Sequence, residues 1–144
     1  MGEPSERSHE HERFVIHVAL QAVATTIVSG AMAERTTVLG YGVVSVLVST
    51  VFCIGVRLTW GGGWLNERGF IDMAGSGVVH LLSGAAALAG IYAVGPRMGR
   101  WDLAMQSSFV PNSIPSVITG ALLLFVGWFG FNPGSTLGMA SQSQ

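Results

Sequence analysis

The 144 residues contain no lysine, a single cysteine and few charges of either sign. Each shortage excludes something. Only 10% of the chain is Asp, Glu, Lys or Arg, where a soluble domain carries roughly a quarter, so a solvated surface of ordinary extent cannot be built. Disorder is excluded for the same reason, since disordered chains are polar and charge-rich. Seven scattered arginines within a net charge of −1 leave no basic footprint for nucleic acid. Cys53 alone cannot close an internal disulfide, and no Cys/His spacing resembles a zinc site. It stands in an apolar run and is expected to be a small buried hydrophobe.

What is present is hydrophobic: 49% of residues, with a mean hydropathy of +0.52. Four stretches, near 14–33, 38–56, 73–95 and 114–131, contain no Lys, Arg, Asp or Glu. Each is about 18 to 23 residues, close to the roughly 20 that a helix needs to cross a bilayer. Twenty glycines without a collagen period, dispersed with alanine and serine, suit close helix packing in lipid. The expected fold is all-α, a polytopic membrane bundle of about four transmembrane helices. Residues 1–13 and 136–144 read as polar tails, and 1–13 lacks the pattern of a secretory signal.

Charges collect in the connections. Alternate turns place Arg35, Arg97 and Arg100 on one side and Arg7, Arg13, Arg57 and Arg68 on the other. Three against four leaves orientation undecided by the positive-inside rule.

Several residues could carry chemistry. His80 lies about seven residues into the third span, roughly 10 Å along the axis. An imidazole there needs a hydrogen-bond partner or a cavity, so it either packs the bundle or serves transport. Asp72 opens the same span. As an N-cap it would accept backbone N–H groups two or three residues on, and its charge could also stabilise a cation above the helix. His17 and Gln21 share a face of the first span, as a polar path or as a headgroup-level pair. Paired ligands for a b-type haem would need imidazoles at matching depth, and His17 and His80 do not match. The Gly61–Gly63 run fits a flexible or close-approach loop better than a phosphate loop. Trp60 and Trp64 suit an interfacial belt. Ala86 and Gly90 have small-xxx-small spacing. Phe125, Trp128, Phe129 and Phe131 make the end of the fourth span aromatic, as an interface anchor or as faces for a cation.

Four segments in order carry a resemblance: Thr26-Ile-Val-Ser-Gly-Ala-Met-Ala-Glu-Arg35, Trp60-Gly-Gly-Gly63, Asp72-Met-Ala-Gly-Ser-Gly-Val-Val-His80 and Gly127-Trp-Phe-Gly-Phe-Asn-Pro-Gly-Ser135. Twelve residues separate Trp60 from Asp72, and eight separate Asp72 from His80. The chain resembles the family of ammonium transporters, methylammonium permeases and Rhesus glycoproteins, on the ammonium transporter branch. The resemblance implies an inverted-repeat transporter fold of about eleven spans, of which residues 14–135 are similar to the third to sixth. It implies a homotrimer in the bilayer, the plasma membrane by expectation, with a hydrophobic pore in each protomer. It implies no enzyme activity, no metal and no cofactor. Ammonium (or methylammonium) would be recruited at an outer vestibule and deprotonated, and ammonia conducted with a proton, or the net ion. The Trp60 loop would then be outside, and the Glu34-Arg35 and Arg97–Arg100 turns cytoplasmic.

By the same resemblance Trp60 and Ser135 hold the cation, by ring face and hydroxyl. Phe131 is one of two stacked gate phenylalanines, Asp72 the acidic residue near the recruitment site, and His80 the first of two pore histidines. Leu20 and Ile16 stand where aromatics are common, and Pro133 where a small residue is usual, which implies a weaker hold on cations. The second pore histidine belongs to a later span than these residues cover. The other expectation is a truncated, non-conducting chain that associates with or regulates full-length subunits.

Overall fold

A computed structural model describes residues 4–110 and 112–135. The expected tail at 136–144, like residues 1–3, lies outside the described residues. The chain divides into two compact units, Met1–Gly95 and Pro96–Gln144. Among the described residues the structure is helical, without strands. Four helices are long and apolar enough to cross a membrane, beginning at Arg13, Val38, Met73 and Ile114. They overlap the four charge-free runs, although the second continues past Arg57 to Glu67 and the fourth to Gly134.

The first unit holds α1 (Pro4–Met32), α2 (Val38–Thr59), a single-turn α3 (Trp64–Glu67) and α4 (Leu82–Val94). Helix α1 starts at Pro4, so polar residues expected as a solvated tail continue the helix beyond its membrane-length part. Leu20, Ala24, Val28 and Met32, four apart, form one buried ridge of α1. That i, i+4 row seats chiefly against α4, and then against α2. In lipid the gain comes from packing rather than from removing water, and small residues set how near the helices come. A Cβ on Gly90 would stand 2.8 Å from Met32 Sδ, and one on Gly55 2.8 Å from Val78 Cγ2. The Tyr41 hydroxyl donates to the Thr25 carbonyl at 3.1 Å, tying α2 to α1.

The link between α1 and α2 is tight. Glu34 takes a left-handed conformation (φ 59), and Thr37 caps α2 by accepting from the Gly40 N–H. Arg35 Nη1 donates to the Gly95 carbonyl at 3.2 Å. The first turn and the end of α4 therefore share one end of the bundle, as alternation of spans requires.

Cys53 overturns an expectation: it is exposed. Much of α2 is exposed with it, Val43, Val46, Leu47, Val51 and Ile54 included. In a helix apolar all round, hydrophobic neighbours report the surrounding solvent and not which face points inward.

The second unit has a 3₁₀ segment (Leu103–Phe109) capped by Asp102, whose Oδ1 accepts the Ala104 N–H at 2.9 Å. Helix α5 (Ile114–Gly134) follows, capped by Ser113, with proline in its first turn where the missing N–H is harmless. Arg100 lies over the rings of Trp101 and Phe109, at 5.8 and 5.5 Å.

Candidate functional site

The third span does not begin as a plain α-helix. After Asp72 come a 3₁₀ turn (Met73–Gly75), a π-helical turn (Ser76–Leu81) and only then α4. Ala74 (φ 56) and Gly75 (φ 82) are both left-handed. For alanine that conformation costs about 1–2 kcal/mol, so something must hold the break. Asp72 does so. Its Oδ1 accepts from Gly77 N at 2.9 Å and its Oδ2 from Val78 N at 2.7 Å. The capping expected two or three residues on occurs five and six residues on, because the left-handed pair intervenes. A carboxylate at 9% exposure is tolerable there, since both oxygens are bonded and lie at the positive end of the turns below.

Asp72 also fixes Trp60. The indole Nε1–H donates to the Asp72 carbonyl at 2.8 Å. Trp60 itself ends α2, its N–H donating to Val56 O. The glycines after it take the close-approach reading: a Cβ on Gly63 would stand 2.6 Å from Arg57 O and Leu58 Cα. Gly75 makes a matching close approach, a Cβ there standing 3.4 Å from Trp60 Cη2.

The third member is His17, whose ring is stacked on that of Trp60, centroids 5.9 Å apart and planes 22° apart. Sequence reasoning paired His17 with Gln21 on its own helix and missed this contact. No local signal reveals it, because Trp60 belongs to another element. Leu20, one turn further along α1, is buried in the core, while Ile16 is half-buried.

His80 sits inside the π-helical turn and is exposed, with no hydrogen-bond partner among the described residues. Within the first unit this imidazole therefore makes no interhelical hydrogen bond. Irregular turns of this kind recur where a side chain must be aimed. Trp60, Asp72 and His17 thus come together at one end of the first unit, with His80 further along the same span as Asp72.

Phe131 and Ser135 belong to the second unit. The Ser135 hydroxyl donates to the Phe131 carbonyl at 2.7 Å, which uses its proton and leaves its oxygen lone pairs to accept. Phe125 and Phe129 make an edge-to-face pair at 5.2 Å. Among the described residues no group of three or more His, Cys, Asp or Glu comes together as a metal site would require.

Comparison with known proteins gives one consistent result. The model of the Ammonium Transporter Family matches residues 3–144. The chain is 41% identical over 138 residues to an ammonium transporter of Archaeoglobus fulgidus, covering 88% of this chain and 30% of that protein. It is 38% identical over 126 residues to one of Methanocaldococcus jannaschii, covering 86% and 32%. A third, ammonium transporter 1 member 3 of Oryza sativa, is 39% identical over 140 residues, covering 88% and 28%. The chain therefore spans about three-tenths of the length of these curated relatives. No solved structure matches it significantly.

Proposed function

Since this multi-pass membrane chain belongs to the ammonium transporter family, we propose that it supplies the cation-recruiting mouth and the first pore histidine of an ammonium pathway. The observation that carries the reading is the coupled geometry of Trp60 and Asp72: an indole pinned by its N–H to the backbone of the acidic residue that opens the third span.

The physical problem is a cation leaving water. A charged ammonium ion enters hydrocarbon only at high cost, so its lost hydration must be replaced before or while it sheds a proton. A ring face within about 6 Å attracts a cation through the quadrupole, and Trp60 provides one held in a fixed plane. Asp72 carries negative charge beneath it, although both of its oxygens are engaged with backbone N–H groups. Its part is to hold the broken helix, to position Trp60 and to bias the local potential toward cations. Phe131 and Ser135, by the family pattern, offer the cation a ring and a hydroxyl oxygen free to accept an ammonium N–H. Transfer of one proton from ammonium to water in the vestibule leaves neutral ammonia, which crosses an apolar path at far lower cost. His80, exposed and unpartnered among the described residues, is the group able to exchange hydrogen bonds with ammonia or relay the proton in the pore. Leu20 in place of an aromatic, and Pro133 before the Gly-Ser pair, weaken the hold on the cation. Assembly as a homotrimer and residence in the plasma membrane belong to the same proposal.

The test is a chimera of the Archaeoglobus fulgidus relative in which the matched segment is replaced by this chain. It is produced in cells lacking their own ammonium transporters. We expect saturable uptake of labelled methylammonium, lost on His80→Ala and shifted to higher half-saturating concentration on Trp60→Ala. A chimera that reaches the membrane intact and takes up no methylammonium refutes the conducting role and favours an accessory one.

A further inference from the structure

The stacked His17 ring has no part in the scheme above, although it lies against a face of the Trp60 indole that is proposed to hold the cation. We infer that His17 is a second, hydrogen-bonding half of the recruitment site, accepting an N–H of the ammonium ion held on Trp60 and so favouring cations that carry N–H. The inference rests on the proposed role of Trp60.

Three observations carry it. First, the stack is an offset one. Aromatic atoms in contact approach to about 3.5–4 Å, so a centroid separation of 5.9 Å corresponds to a lateral slip of roughly 4–5 Å. The imidazole covers an edge of the indole and leaves the rest of that face clear of His17, and Trp60 as a whole is half-buried. Second, His17 has no hydrogen bond among the described residues, while half-buried. A neutral imidazole has one ring nitrogen that accepts, and its lone pair lies in the ring plane, which is within 22° of the indole plane, so it points alongside the indole rather than into it. Third, the indole cannot rotate away: its Nε1–H is bonded to the Asp72 carbonyl, and the bare Cα of Gly75 lies beside Cη2. A cation resting on the open face therefore meets the imidazole edge-on. An alkali ion or tetramethylammonium gains only the ring attraction there, whereas ammonium and methylammonium gain a charge-assisted hydrogen bond as well.

The test uses the full chain in lipid nanodiscs, with the Trp60 indole N–H resonance as reporter, assigned by its loss in Trp60→Phe. Methylammonium chloride and tetramethylammonium chloride are titrated separately. In the wild-type chain methylammonium moves the resonance at a concentration about tenfold lower than tetramethylammonium does. His17→Phe keeps a flat ring and removes the acceptor, so it weakens methylammonium about tenfold and leaves tetramethylammonium unchanged. His17→Gln restores an acceptor without an aromatic ring and recovers most of the preference. Slow exchange of the indole N–H with solvent before titration certifies that each variant keeps the Trp60–Asp72 bond. Equal methylammonium affinity in wild type and His17→Phe overturns the inference while leaving recruitment at Trp60 intact, as does an absence of preference in the wild-type chain. A wild-type resonance that responds to neither cation overturns recruitment at Trp60, and the role of His17 with it.

Discussion

Replacing Asp72 with alanine removes both acceptors that hold the start of the third span. Gly77 N and Val78 N each lose a bond, of 2.9 and 2.7 Å, in a place where Val78 is buried. A buried donor left unsatisfied costs about 1–3 kcal/mol. Gly77 is half-buried and can recover part of its loss from water. The favourable charge at the helix start adds roughly 0.3–1 kcal/mol. The expected destabilisation is about 2–5 kcal/mol, a large share of the roughly 5–15 kcal/mol that holds a typical protein folded. Asp72→Asn keeps one acceptor oxygen and adds a donor facing donors, so it loses about half as much. The assay is reversible unfolding in mixed micelles, followed by circular dichroism, with hydrogen exchange at the Gly77 and Val78 amides. Those two amides should lose protection first, ahead of the rest of the span. A loss below about 0.5 kcal/mol in Asp72→Ala, with both amides still protected, would refute the reasoning that this carboxylate holds the break.

Two further substitutions probe the packing around that break and the main helix contact. Gly75→Ala places a Cβ 2.6 Å from Val79 Cγ2 on a backbone at φ 82. Strain and overpacking together predict a loss of about 2–4 kcal/mol, and a loss under about 1 kcal/mol in the same unfolding assay contradicts the geometry. Gly90→Ala presses on Met32 Sδ at 2.8 Å, a flexible side chain that can yield, so about 1 kcal/mol is expected. Met32→Ala in the same chain should absorb that penalty, giving a coupling of at least about 0.5 kcal/mol in a double-mutant cycle. Strictly additive effects would mean that α1 and α4 do not meet at this pair.

Much of the fold was legible because hydrocarbon imposes one rule. Backbone groups in a bilayer must bond within their own segment, so a charge-free run of membrane length already reads as a helical span. The runs starting at 38, 73 and 114 coincide with helices or helical turns that begin at Val38, Met73 and Ile114. The same rule hides the facing of residues. Cys53 was misjudged because an apolar helix gives no contrast between inside and outside. The ridge of Leu20, Ala24, Val28 and Met32 is no more apolar than the exposed valines of α2. Asp72 was recognised as a capping residue, but its reach was not. A left-handed alanine departs from the propensity rules, and it is sustained by bonds that Asp72 makes five and six residues on, beyond the reach of an ordinary cap.

By itself the sequence determined the class, the number of membrane-length helices, the membership in a transporter family and the short set of residues worth watching. These follow from composition, run length and ordered motifs, which are properties of neighbours along the chain. Tertiary structure alone decided that the imidazole of α1 lies against the tryptophan ending α2, and that this tryptophan is bonded to the backbone at the head of the third span. It also decided that His80 is exposed on the first unit. Contacts between helices depend on how each is rotated about its axis, and in a uniformly apolar helix that rotation is set by the shapes of small and large side chains meeting across the bundle.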